Sequence, residues 1–337
     1  MAEKFLVTSQ GSIGRRHLAN LRALRPQATI AVLRTQAAAG QPCLPGVDLQ
    51  FYSLAEALAF APDAAIVASP ANVHLALATA LVEHGIPVLV EKPLADSTEG
   101  LRAFAELVDA RKVKTGVGYN LRFLPSLVRA RALLQEGAIG RVLSVRAEVG
   151  QYLPDWRPGS NYSESVSAQK KLGGGALLEL SHELDYLLWI FGAPDTVAAK
   201  GGRIGDLEID VEDMVELCLE YREPRRLVNV HLDFLQRAVH RSCRFIGTDG
   251  TLVWNALGDR LELYRAATGQ WEQLHYPLAD RNQMYLEELE EFLRPSALDG
   301  STITTVAQGL DVMAVIDAAR TSMQTQQTVK VDHHGRF

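Results

Sequence analysis

The sequence predicts a two-domain α/β protein, with a doubly wound parallel sheet over residues 1–120 and an α+β domain with a large, mostly antiparallel sheet over 121–337. Three observations carry this reading. Strand and helix signals alternate through the first 120 residues, the rhythm of parallel units joined by crossover helices. After residue 140 the strand signals crowd together with short turns between them, as antiparallel neighbours do. A chain of 337 residues, at roughly 150 per domain, has room for about two domains.

The opening strand, Phe5-Leu6-Val7-Thr8, runs into Ser9-Gln10-Gly11-Ser12-Ile13-Gly14. A helix follows with Ile13, Leu18, Leu21 and Leu24 near one face, and Pro26 stops it. Residues 29–33 form the next strand. Ser53 followed by Glu56 reads as a capping box for a helix over 54–60. A buried strand over 64–68 ends at Ser69-Pro70, and the helix over 73–84 closes at Gly85. Val88-Leu89-Val90 leads straight into Glu91-Lys92-Pro93; a helix over 98–110 and a strand over 115–119 complete the first domain.

The second domain begins with a helix over 124–136 that ends at Gly137, then a strand over 142–149 whose apolar residues alternate. Further strands are expected at 196–199, 214–221, 227–234, 243–246, 251–254, 261–264 and 272–275, with Thr248-Asp249-Gly250 as one of the turns. Helices over 282–293 and 304–323 finish the chain. The sequence contains no repeat or long linker, which predicts domains packed around a cleft.

Hydrophobic residues make up 47% and charged residues 22%, as in a globular protein with a sizeable core. A net charge of −6 excludes a chain-wide attraction to nucleic acid or anionic membranes, while leaving room for a local basic pocket. Cys43, Cys218 and Cys243 are odd in number and far apart, which suits a reducing compartment and gives no metal-ligand spacing. No apolar run approaches the ~18 residues of a membrane span, and no signal peptide is apparent, so a cytoplasmic location is expected.

The turn after the first strand is the phosphate end of a dinucleotide site with its first glycine replaced. In G-x-G-x-x-G the glycines permit the tight turn and let helix N-terminal N–H groups meet a pyrophosphate. Gly11 and Gly14 hold the second and third positions, and Ser9 is expected to accommodate the turn with negative backbone angles. Ser9, Gly11, Ser12, Ile13 and Gly14 are thus cofactor candidates. Twenty positions after Gly14 stands Arg34, followed by Thr35, where an acid would bind a ribose 2′-hydroxyl and an arginine a 2′-phosphate. With Arg15 and Arg16 nearby, NADP(H) is preferred over NAD(H).

Lys92 leaves a buried strand beside Pro93, where it is expected to exchange a proton with a substrate. Gly173-Gly174-Gly175 opens a predicted helix on which Glu179, His182 and Asp185 share a face, so His182 is a second proton-relay candidate, or else a satisfied core histidine. That face is not expected to bind a metal. Trp156 and Tyr162 offer rings for a sugar face and Arg157 a fork for an anion, with Tyr152 in the same loop; the alternative is an aromatic contact between domains or subunits.

Taken in order, Gly11-Ser12-Ile13-Gly14-Arg15-Arg16-His17, Ser69-Pro70 with His74, Glu91-Lys92-Pro93, Gly118-Tyr119-Asn120 with Arg122-Phe123, and the triple glycine leading to His182 and Asp185 resemble the Gfo/Idh/MocA oxidoreductases. The resemblance covers nearly the whole chain. It implies an N-terminal Rossmann domain, a C-terminal domain whose open sheet mediates a homodimer or homotetramer, and a nicotinamide cofactor. It makes Lys92 the catalytic lysine and His182 the histidine of the active-site helix, with Asp185 or Glu179 orienting the pair. It adds Ser69, Pro70, Asn72, His74, Glu91 and Asn120 to the cofactor residues, and Tyr119 and Arg122 to the substrate residues. Members commonly carry an aspartate just before that histidine, whereas the nearest preceding acid here is Glu179. The Tyr152-to-Pro158 run also resembles a subgroup linked with bacterial surface-sugar synthesis. The implied reaction is hydride transfer between NAD(P) and a carbinol carbon of a sugar, cyclitol or nucleotide sugar. The alternatives are an NAD-dependent glycoside hydrolase and a non-catalytic NAD(P)-binding regulator of the same fold.

Overall fold

A computed structural model describes residues 2–35, 40, 42–278, 280–295, 298 and 300–332. The chain divides into two units, Met1–Asn120 with Arg281–Leu310, and Leu121–Asp280 with Asp311–Phe337.

The first unit is built on β1 (Lys4–Thr8), α1 (Ser12–Leu24), β2 (Thr29–Leu33), β3 (Leu49–Phe51), α2 (Leu54–Ala59), β4 (Ala64–Val67), α3 (His74–Glu83), β5 (Val88–Glu91), α4 (Leu101–Arg111) and β6 (Thr115–Gly118). Ser53 and Glu56 form the expected capping box at α2. The strand order is β6-β5-β4-β1-β2-β3, all parallel. Every residue of β4, β5 and β6 is buried, as a sheet covered on both faces requires. The order reverses between β1 and β4, which places the loops at their carboxyl ends side by side at the switch point where doubly wound sheets bind ligands.

The second unit holds α5 (Pro125–Gln135), β7 (Val142–Gly150), α6 (Ala176–Glu179), α7 (His182–Phe191), β8 (Thr196–Gly202), β9 (Met214–Arg222), β10 (Arg225–Asp233), β11 (His240–Gly247), β12 (Gly250–Asn255), β13 (Arg260–Arg265) and β14 (Gln270–His275). α8 (Asn282–Leu293) and β15 (Thr304–Thr305) return to the first unit, where β15 pairs antiparallel with β6. α9 (Val306–Thr325) and β16 (Val329–Lys330) end the described chain. The sheet runs β14-β13-β12-β11-β7-β10-β9-β8-β16; β7 and β10 are parallel and the other neighbours antiparallel.

The short strands β3, β15 and β16 are absent from the sequence reading, because two or three residues carry too little alternation to register. In the larger sheet one face is core: Val145 and Ala147 of β7, Val228 and Val230 of β10, Phe245 of β11 and Trp254 of β12 are buried. The Trp254 indole N–H is satisfied by Ser126 Oγ at 3.0 Å, so the largest buried side chain carries no unmet donor. Among the described residues no helix is long and apolar enough to cross a membrane.

Candidate functional site

The turn after β1 overturns one expectation. Ser9 has φ +123°, not a negative value, and so adopts the conformation the missing glycine would have taken. Such a backbone costs a non-glycine residue about 1–3 kcal/mol. Its side chain returns part of that, because Ser9 Oγ accepts the Gly11 N–H at 3.0 Å. Gly14 is fixed by contact: a Cβ there would lie 2.3 Å from the Ser9 carbonyl oxygen. Gly11, Gly14 and the strained Ser9 therefore bring the start of α1 directly against the end of β1.

That helix start fits a dinucleotide pyrophosphate. Gly11 caps α1 without a side-chain hydrogen bond and its first turn contains no acid, so the N-terminal N–H groups and positive dipole end are left to an anion. Ser12 and Ile13 begin this turn, and Arg15 Nε donates to the Gln10 carbonyl at 2.9 Å, steadying the loop. Across the switch point, Thr8 Oγ1 and Ser69 Oγ lie 2.9 Å apart, Ser69 Oγ donates to the Thr8 carbonyl at 2.7 Å, and Ala68 N–H donates to Thr8 Oγ1 at 3.1 Å. Pro70 follows, and Asn72 stands exposed on the next turn. At the end of β2, half-buried Arg34 donates from its guanidinium to Gln50 Oε1 at 2.8 Å, with Thr35 exposed beside it.

Lys92 follows a fully buried strand and is itself half-buried. Glu91, expected to meet cofactor, turns inward: Oε1 lies 2.6 Å from His17 Nε2 and Oε2 accepts the Lys92 backbone N–H at 3.2 Å. His74 likewise is internal, 1% exposed, with Nδ1 2.9 Å from the Pro93 carbonyl and Nε2 2.6 Å from the Ser69 carbonyl. Burial pulls its pKa below the usual histidine value, opposed by those two carbonyls and by Glu91. Tyr119 and Asn120 are also buried. Burial raises the pKa of the Tyr285 phenol.

In the second unit the single predicted helix is two. The i→i−4 ladder gives way to i→i−3 bonds at Ser181 N–H to Leu178 O and Glu183 N–H to Leu180 O, which changes the angular advance between α6 and α7. Glu179 ends α6 and His182 starts α7, so Glu179, His182 and Asp185 fall on two helical segments and not on one continuous helix. The Arg122 guanidinium grips Asp185 with bonds of 2.9 and 2.8 Å. Arg122, expected to line a substrate pocket, is 1% exposed. Glu183 is similarly held by Arg241 at 2.9 and 3.2 Å. His182 itself is half-buried at the helix start.

Gly174 and Gly175 owe their identity to close packing. Gly175 has φ +110°, and a Cβ there would lie 2.4 Å from Glu212 Oε1; at Gly174 it would lie 2.4 Å from the Val166 carbonyl. Glu212 Oε1 accepts the Leu177 N–H at 3.0 Å, filling the start of α6 with a carboxylate from the chain itself. In the 151–162 loop, Trp156 donates to the Gln151 carbonyl at 3.1 Å and stands edge-on to Phe234. Tyr162 Oη accepts the Glu208 N–H, Arg237 covers the Tyr152 ring at 3.5 Å, and Arg157 is exposed. A cavity of about 410 Å³ in this unit is lined by Ala198, Lys200, Glu216, Cys218, Asn229 and Gln326, none of them a predicted site residue.

Sequence reasoning assigned no role to Thr8, His17, Glu212 or Arg241. His17 had a usable signal, since Gly14, His17, Leu18 and Leu21 form the buried stripe of α1 and a histidine there needs a polar partner. Glu212 and Arg241 gave none, because their partners lie 35 and 58 residues away.

A switch-point cradle with an uncapped helix start gives the first unit the features of a nucleotide-binding module. Two family models match the chain: "Oxidoreductase family, NAD-binding Rossmann fold" over residues 4–119 and "GFO/IDH/MocA C-terminal domain" over 127–253. The chain belongs to the GFO/IDH/MocA family of oxidoreductases. Levoglucosan dehydrogenase of Pseudarthrobacter phenanthrenivorans is 26% identical over 323 residues, covering 80% of each chain. Inositol 2-dehydrogenase 1 of Saccharopolyspora erythraea is 48% identical over 79 residues, 23% of each chain. A solved levoglucosan dehydrogenase in complex with NADH and L-sorbose has the same fold, with TM-score 0.83 over 99% of this chain and 100% of that one at 20% identity.

Proposed function

We propose that this oxidoreductase transfers a hydride between NADP(H) and a carbinol carbon of a sugar, cyclitol or nucleotide sugar, with Lys92 and His182 as the proton-handling groups. The observation that carries the reading is the Ser9–Gly14 cradle at the switch point, together with Lys92 at the carboxyl end of a strand in the same sheet. Bound there, the nicotinamide nucleotide supplies the hydride acceptor or donor. In the oxidative direction one of Lys92 and His182 takes the substrate hydroxyl proton, and the other steadies the oxygen as charge develops. Ser12 and Ile13 present backbone N–H groups to the diphosphate, Gly11 lets it approach the turn, and Ser69, Pro70 and Asn72 wall the neighbouring loop. Arg34 pairs with a 2′-phosphate, the basis for preferring NADP(H). Arg157 and the loop carrying Tyr152, Trp156 and Tyr162 contribute to substrate selection. Leu227, Tyr264 and Trp271 lie on one cross-strand row of the sheet face opposite the core, a surface suited to self-association.

The test is turnover of a panel that includes levoglucosan, myo-inositol and UDP-sugars, with either nucleotide, by the wild-type chain and Lys92→Met. The variant is expected to lose at least about 100-fold in kcat. Wild-type turnover in Lys92→Met removes the assignment of that lysine; tight NADPH binding with no turnover across a broad sugar panel favours the regulator reading.

A further inference from the structure

Lys92 sits between two buried histidines that the proposed chemistry does not use. On its amino side, His17 Nε2 lies 2.6 Å from Glu91 Oε1, and the other oxygen of that carboxylate accepts the Lys92 backbone N–H at 3.2 Å. On its carboxyl side, His74 Nδ1 lies 2.9 Å from the Pro93 carbonyl while Nε2 lies 2.6 Å from the Ser69 carbonyl. His17 is fully buried and His74 is 1% exposed, so neither ring is presented to a ligand. His17 Nδ1 is buried with no hydrogen-bond partner among the described residues, which makes Glu91 its working contact. The Tyr285 ring packs edge-on against His17 at 6.3 Å and holds it from the side.

Both histidines begin on elements of the nucleotide cradle. His17 belongs to α1, the helix whose start is pressed against Ser9. His74 opens α3 and reaches Ser69, whose hydroxyl is bonded to Thr8 at the end of β1. We propose that His17 and His74 are positioning residues that fix the backbone on both sides of Lys92 to the cradle, so that the lysine amine keeps a set position relative to bound nucleotide. This rests on Lys92 being the proton-handling group. A displacement of about 1 Å at such a group can cost up to about 100-fold in rate without weakening binding.

A neutral imidazole donates from one nitrogen only, and the two amide replacements separate the two contacts of His74. Asparagine places an N–H near the Nδ1 position, toward Pro93; glutamine places one near Nε2, toward Ser69. For His17, glutamine restores the Nε2 donor to Glu91. The experiment compares His17→Ala, His17→Gln, His74→Ala, His74→Asn and His74→Gln with wild type and Lys92→Met. It records kcat and KM with the panel sugar that the wild-type chain turns over, Kd for NADPH, and Tm.

The alanine variants are expected to lose about ten-fold or more in kcat, with KM and Kd within about three-fold. His17→Gln and His74→Asn recover most of the rate, and His74→Gln does not. Equal rates for His74→Asn and His74→Gln, or rates that follow Tm across the series, overturn the proposal while leaving Lys92 in place if Lys92→Met is inactive. Full activity in Lys92→Met overturns both. Should the alanine variants fail to fold, the paired amide variants decide the question alone.

Discussion

Two glycine turns, one in each unit, look alike in the sequence and do opposite things. Gly11 and Gly14 let α1 approach the end of β1, and the helix start they create has no side-chain cap and no acid in its first turn. Gly174 and Gly175 let α6 approach carbonyls of the 166–167 segment and a carboxylate, and Glu212 occupies the start of that helix through the Leu177 N–H. One helix N-terminus is left open to an external anion; the other is closed by an internal one. Glycines alone report close approach of backbone. What approaches is decided by residues distant in sequence.

The largest expected consequence concerns the closed turn. Gly175→Ala places a Cβ 2.4 Å from Glu212 Oε1 at a backbone angle of +110°. The strain and the displaced carboxylate together are expected to cost about 3 kcal/mol of stability, read by denaturant unfolding, with NADPH affinity of the folded protein changed less than about two-fold. A large loss of affinity with stability intact makes the two turns equivalent and breaks the contrast.

A smaller effect sharpens it. Burial raises the Glu212 carboxyl above its ordinary range, against the pull of its own and the Leu177 N–H groups and of Arg320. A carboxyl raised in the folded state favours folding below its unfolded value near 4.5, and that contribution is lost as pH rises through the folded value. Glu212→Gln keeps an acceptor for Leu177 and has no charge to bury. Its Tm should exceed that of wild type at pH 8, and the gap should narrow toward pH 5. A variant less stable than wild type by the same margin at both pH values contradicts an internal carboxylate held at a desolvation cost.

Much of the fold was legible because its signals are local. The 282–293 helix and the capping box at Ser53 and Glu56 appear where periodicity and capping chemistry put them. The site was legible in part. Gly14 and the strand leading to Lys92 follow from turn chemistry and an apolar run, while the conformation of Ser9 does not: its φ of +123° answers to the contact with Gly14 and is supported by the bond to Gly11. The break between α6 and α7 was hidden because Leu180 and Ser181 carry no proline or glycine to mark it. Arg122 reads as a substrate residue because the sequence does not show its partner Asp185, 63 residues on.

The cradle itself is tested most directly by titrating NADPH and NADH into the wild-type chain and into Gly14→Ala, whose Cβ would fall 2.3 Å from the Ser9 carbonyl oxygen. Wild type should bind both nucleotides, NADPH more tightly, and Gly14→Ala should bind each at least about ten-fold more weakly, a loss of about 1.4 kcal/mol or more, while still melting cooperatively. Undiminished affinity in a folded Gly14→Ala protein would show that the nucleotide does not rest on this turn.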